Sequence, residues 1–320
     1  MRDLLEAKYR RRVFFTLVVI LLMLLLVLRF FVLPAISDAD LLTWDVIASR
    51  SLETIFGAVV ASVAVTSLIL WLSPSARQKA VMEIIPPFRI KETLEEARGK
   101  TGEWWYRGHS GRHFRAVAIP ALAKQARTAN VTKRIVLQIL DPTSDAVCSN
   151  YSAYRQALHS AIRDQPWTSQ RVRLELYATI VSSYAWKTQE PLLDITIALI
   201  EKVSLFRVDL SSRLALVTKE DPREPALRFD EGTIFYNSYK EDLRLSLKQA
   251  RELPRDVAGP RLTELNEENV RELLQNIGLV TPVLEAQDIQ SIIDIAQKAE
   301  NPYGWKSDWT NKLSSRKDRE

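Results

Sequence analysis

Apolar and polar positions divide this chain into an oily front and a patterned remainder. Two nearly unbroken apolar runs come first, Val13–Leu33 and Thr54–Leu72. As a helix, the first would reach about 31 Å, close to the hydrocarbon thickness of a bilayer. It has no small-x-small site before Pro34, so it reads as an uncleaved anchor rather than a signal peptide. In the second run, Gly57 and Ala61, and Ala58 and Ser62, stand four apart, a spacing that lets helix backbones approach closely. That face could pack on the first run of the same chain or between chains of a homo-oligomer.

Past residue 73 the periodicity changes. Lys91–Arg98 reads as a short charged helix after Pro86-Pro87, and Glu103–Gly108 as a strand ending in a turn. A helical pattern then runs through Leu122 and Ala126, and Arg134–Leu140 is a strand stopped by Asp141-Pro142. Val147–Ile162 and Gln170–Trp186 have helical spacing. Ile195–Leu199 fits strand or helix, Leu205–Leu210 and Arg213–Thr218 alternate as strands, and Thr233–Tyr236 reads as a short strand before a helix over Lys240–Leu253. Helical spacing resumes over Glu267–Asn276 and Glu285–Lys298. The expected fold is two N-terminal transmembrane helices plus a cytoplasmic α/β domain with a mixed sheet and a helical C-terminal extension. The expected boundaries are a basic N-terminus (1–12), spans at 13–33 and 54–72 around a short outer loop (34–53), a linker (73–102), the α/β domain (103–256) and the helical region with its tail (257–320).

Charge refines this picture. The chain has 44 basic and 39 acidic residues, net +5. Basic residues flank the two runs on their outer sides (Arg2, Lys8, Arg10–Arg12; Arg77, Lys79), whereas the connection carries Asp38, Asp40 and Asp45. By the positive-inside rule both termini are cytoplasmic in an inner membrane. Arg29 lies inside the first run, where it either snorkels to the interface or lines a polar path. A single cysteine, Cys148, excludes an internal disulfide, and three histidines give no metal-ligand set. No cofactor fingerprint is present.

The best ligand-site pattern is Gly108-His109-Ser110-Gly111-Arg112, between a strand and a helix. Such a turn can present backbone N–H groups to a phosphate, with Arg107, Arg112 and Arg115 adding charge-assisted contacts. It matches neither the Walker A nor the dinucleotide pattern, and an ordinary turn with solvated arginines is the simpler reading. His109 and Asp141 are the candidates if a reaction is catalysed, Asp141 because ligands gather at strand C-termini in α/β sheets. Asp141-Pro142 is also an ordinary turn opening. Trp104, Trp105 and Tyr106 fit sheet core or base stacking, and the basic groups Arg171/Arg173 and Arg244/Lys248/Arg251 fit solvated helix faces or a nucleic-acid surface.

Over Glu103–Asp141 and Phe206–Leu253 the order of segments resembles one half of a phospholipase D-like domain. That family's catalysis needs His-x-Lys, but His109, His113 and His159 are followed by Ser110-Gly111, Phe114-Arg115 and Ser160-Ala161, so the hydrolytic site would be missing or rebuilt. In layout, two N-terminal runs joined to a domain without a catalytic motif resemble the transmembrane effectors of bacterial anti-phage systems, retron effectors in particular. That resemblance implies abortive infection by damage to the inner membrane, with release by a reverse transcriptase–nucleic acid complex or a nucleotide signal. The alternative expectation is a membrane-tethered enzyme acting on phosphate esters or nucleotides.

Overall fold

The computed structural model describes residues 16, 20, 23, 27, 51, 54–62, 82–99, 101–158, 166–279 and 284–298. The chain divides into two compact units, Met1–Gln78 and Lys79–Glu320.

In the first unit the described residues are helical. Among the described residues no helix is long and apolar enough to cross a membrane. The two-transmembrane fold and the multi-pass inner-membrane placement are corrected accordingly. Most of the two apolar runs, with Arg29 and the connection at 34–50, lies outside the described residues. Gly57, Ala58, Ala61 and Ser62 are exposed on the 54–62 helix, and nothing stands within 4 Å of a Cβ built at Gly57. No feature of the described residues points to an oligomer.

The second unit holds an eight-stranded mixed sheet. Its strands are β1 (Glu83–Ile85), β2 (Glu103–Arg107), β3 (Lys133–Leu140), β4 (Leu193–Ile200), β5 (Phe206–Ser211), β6 (Leu214–Lys219), β7 (Ala226–Asp230) and β8 (Arg251–Glu252). They lie in the order β1-β7-β6-β5-β2-β3-β4-β8. Strands β2, β3 and β4 are parallel, and every other pairing is antiparallel. The helices are α1 (Ile90–Gly99), α2 (Ile119–Ala129), α3 (Asp145–Ala157), α4 (Ser169–Gln189), α5 (Ile234–Gln249), α6 (Glu267–Asn276) and α7 (Ala286–Gln297). Strand, helix, strand order makes β2–α2–β3 and β3–α3–α4–β4 the two crossovers that parallel pairing requires.

Alternation along the strands sorts residues between two cores. Trp104, Tyr106, Ile135, Leu137 and Ile139 join the large core with α2, α3, α4, α6 and α7. Trp105, Val136, Val208, Leu210 and Phe229 join a smaller core under α5. All three aromatics of β2 are buried, so sheet core is their role. Helix α4 is the central helix, buried continuously from Glu175 to Ala185. Side-chain caps start the helices: Ser144, Thr168, Thr233 and Asn266 accept from Val147, Arg171, Tyr236 and Asn269 N–H.

Three differences from the sequence reading have clear causes. Thr233 caps α5, so the helix begins at Ile234 and no strand forms over Thr233–Tyr236. The neighbouring strand is instead Ala226–Asp230, paired with β6. Between Phe114 and Ala118 the chain forms a π-helix, and Ile119 N–H donates to Phe114 O. Pro120 has no N–H to return to the preceding turn, so the wider turn ahead of it loses nothing there.

Candidate functional site

Parallel strands β2, β3 and β4 end at the same edge, and the turn at 108–111 follows β2 there. Gly108 N–H donates to Gln138 O at 3.1 Å, continuing the sheet. A Cβ on Gly108 would stand 2.2 Å from the Tyr106 hydroxyl oxygen. Gly111 has φ +69°, and a Cβ there would stand 2.9 Å from Thr179 Cγ2. Close packing and a left-handed turn thus account for both glycines.

His109 is buried and committed at both ring nitrogens. Nδ1 lies 3.0 Å from Glu220 Oε2, and Nε2 lies 2.5 Å from the Ser204 carbonyl oxygen. Both ring nitrogens thus have a hydrogen-bond partner within the fold. The ring stacks on Tyr151, with centroids 4.6 Å apart. Glu220 also takes Arg155 at 2.9 Å and Arg207 at 3.7 Å. Burial opposes ionisation of Glu220, but Arg207, His109 and Arg155 together outweigh it and hold the carboxyl well below the usual carboxylate range. His109 is therefore a structural link between β2, the β4–β5 loop and the end of β6.

Asp141 follows β3 and is committed as well. Its Oδ1 accepts from Thr143 N at 2.8 Å and Thr143 Oγ1 at 2.6 Å, and Arg251 Nη2 reaches both carboxylate oxygens at 3.0 and 2.8 Å. His109 and Asp141 thus engage different neighbours. Cys148 is buried, and burial pushes its thiol up to about 11. Among the described residues no group of three His, Cys, Asp or Glu side chains could hold a metal.

The three expected arginines separate. Arg107 turns to the α5 side and pairs with Asp242 at 2.5 Å. Arg115 is buried and holds α4, donating to Glu175 O, Glu175 Oε2 and Thr179 Oγ1 at 3.1, 2.8 and 2.9 Å. Arg112 is partly exposed; its Nε lies 3.2 Å from Glu175 Oε1, and its guanidinium lies 5.2 Å from the Trp167 ring centroid.

Trp167 organises a feature that the sequence reading missed. Arg155 and Arg171 also lie over its ring, at 4.4 and 4.3 Å, so three guanidinium groups surround one buried indole. Ser152 Oγ fixes the Trp167 backbone by donating to its carbonyl at 3.0 Å, and Gln156 donates to the same oxygen. Arg155 stands four residues after Tyr151 on α3, a helical spacing readable in sequence, but nothing local reveals that Trp167 folds onto it. The groups Arg171/Arg173 and Arg244/Lys248/Arg251 form no continuous stripe. Arg173 is tied to Pro142 O and Asp145, Arg244 to Glu241 and Arg251 to Asp141.

No family model matches the chain, and no curated protein matches it. Among solved structures it is similar to TrmBL2, an archaeal chromatin protein described as showing a novel mode of DNA binding. The TM-score is 0.31 and the identity 12%, over 64% of this chain and 66% of that one, just under two thirds of its length. A likeness this distant defines neither fold nor function for the present chain. The expected kinship with retron transmembrane effectors and with phospholipase D-like domains is corrected: no family model matches, no spanning helix is found among the described residues, and both ring nitrogens of His109 are engaged within the fold. Antiviral defence and abortive infection have no support left with it.

Proposed function

We propose that the second unit is a binding module for a phosphate-bearing small molecule, of which a nucleotide is the leading candidate, and that it does not hydrolyse that ligand. The observation that carries this reading is the gathering of Arg112, Arg155 and Arg171 around Trp167, beside the carboxyl edge of parallel strands β2–β4. Ligands of open α/β sheets collect at that edge. Guanidinium groups suit phosphate oxygens because their planar fork donates in pairs. Packing on an indole holds such forks in place, which lowers the ordering cost on binding. Arg112 and Arg171 are the more accessible of the three, and Arg155 is anchored below them by Glu220. The absence of hydrolysis follows from the commitments of His109, Asp141 and Cys148, which leave none of them poised as a nucleophile or base.

Thermal unfolding of the full-length chain with ATP, AMP, NAD⁺, pyrophosphate and adenosine tests the reading. Phosphate-bearing compounds should raise the melting temperature and adenosine should not, and each should be recovered intact after incubation. Equal indifference to all five, or turnover of any phosphate ester lost in His109→Ala, would refute it.

A further inference from the structure

A cleft of about 210 Å³ opens between the second half of α1 and the ends of β6 and β7. Strand register builds one side of it. Leu214 lies opposite Asp230 and Leu216 opposite Arg228, so these four side chains share one face of the sheet. Leu214 and Ala97 of α1 are both buried and belong to the large core, which gives the cleft an apolar floor. Thr101, just past α1, holds the two sides together. Its Oγ1 accepts from Ser212 N–H at 3.0 Å and lies 3.0 Å from Ser212 Oγ, in the turn between β5 and β6.

The charged side chains that line the cleft differ in what they already hold. Arg228 and Asp230 are committed to each other, with Arg228 Nε 2.8 Å from Asp230 Oδ1, and Arg228 also lies 3.8 Å from Glu83 Oε2 outside the cleft. Glu96, Arg213 and Glu231 form no ion pair among the described residues. Glu231 N–H donates to Arg213 O at 2.7 Å, so these two residues are neighbours at the end of the β6–β7 pair. Glu96 belongs to the other wall, on α1. The cleft thus offers one uncommitted guanidinium with a carboxylate beside it, and a second carboxylate across an apolar floor.

We infer that this cleft binds a free basic amino acid, of which lysine is the simplest form. One uncommitted cation and two uncommitted carboxylates match a ligand with one carboxylate and two ammonium groups. Arg213 takes the α-carboxylate through its forked donors. Glu231 takes the α-ammonium, which a single carbon joins to that carboxylate, so its acceptor must stand beside Arg213. Glu96 takes the side-chain cation, and Leu214 and Ala97 cover the methylenes between. Pockets for drug-sized ligands run to about 300–1,000 Å³, and this smaller cleft suits a single amino acid. Glu96, Arg213 and Glu231 are exposed, so each contact is modest and the affinity is on the order of millimolar.

Ligand-observed NMR titration of the full-length chain at pH 7.5 and low salt tests this with three probes. They are L-lysine, L-norleucine, which lacks the side-chain ammonium, and cadaverine, which lacks the carboxylate. Wild type should bind lysine saturably, and the other two about five-fold more weakly. Arg213→Met should bind lysine no better than cadaverine, and Glu96→Gln should bind lysine no better than norleucine. Both side chains are exposed, so these variants keep the fold. An Arg112→Ala/Arg171→Ala double variant should bind lysine as wild type does, which separates this cleft from the arginines around Trp167. No saturable lysine binding would overturn the inference. So would cadaverine binding as tightly as lysine to wild type, which is the mark of a general attraction of cations to surface acids. Unchanged discrimination in either single variant, or loss of lysine binding in the double variant, would overturn it equally.

Discussion

Replacing Gly111 by alanine tests whether the 108–111 turn is a fixed architectural element. Gly111 has φ +69°, a region that costs an L-residue about 1–2 kcal/mol. The added Cβ would also stand 2.9 Å from Thr179 Cγ2 and 3.4 Å from Ile139 Cγ2. Thr179 cannot yield cheaply. It is fully buried on α4, its Oγ1 donates to Ser110 O at 2.7 Å, and it accepts from Arg115 Nη1 at 2.9 Å. Forcing a methyl into such a packed site costs about 1–3 kcal/mol more. The expected total is about 2–5 kcal/mol by urea unfolding, or a fall of roughly 4–20 °C in Tm for a unit of this size. Gly232→Ala is the control, because Gly232 has φ +82° but nothing within 4 Å of a built Cβ. It should show only the conformational part. If Gly111→Ala were no more destabilising than Gly232→Ala, the turn would be soft and its packing against α4 would not matter.

Other outcomes follow from the same geometry. Glu220→Gln should destabilise by about 3–5 kcal/mol in chemical unfolding, since it leaves Arg155 buried without its carboxylate. The Glu220 carboxyl is held low in the folded state, so its stabilisation is fully present above its ordinary value of 4.5 and fades as pH falls below it; wild type should converge on the variant in acid. Cys148 should resist thiol reagents at pH 8 in native protein and react on unfolding, because the thiol is buried and pushed up to about 11. Fast native labelling would refute that burial. Thr168→Ala removes the cap that accepts from Arg171 N–H at 3.1 Å, and should cost about 1 kcal/mol and weaken nucleotide binding together.

Much of the sheet was legible because strand alternation and turn residues are local signals. Glu103–Gly108, Arg134–Leu140 and the two runs flanking Ser211-Ser212 appear close to where their patterns place them. Strand β1 has three residues and β8 two, too short to leave a period, and both depend on partners far away in sequence. The N-terminal runs show the reverse problem. Apolar length is a strong local signal, yet among the described residues no helix is long and apolar enough to cross a membrane. At the site, the glycine turn was legible but the contacts that fix it were not. Tyr106 and Thr179, which crowd its glycines, come from a neighbouring strand position and a distant helix. Glu220, which fixes His109, lies 111 residues away, and the Trp167 cluster joins α3, α4 and the turn after β2. Contacts of that range leave no trace in a single sequence.

The most direct test of phosphate-ligand binding is calorimetric titration of the full-length chain with ATP at low salt, beside an Arg112→Ala/Arg171→Ala double variant. The predicted result is saturable binding to wild type, weakened by added salt and reduced about ten-fold or more in the double variant. Affinity that is equal in both proteins, or no binding by wild type, would contradict the assignment of a ligand to the arginines around Trp167.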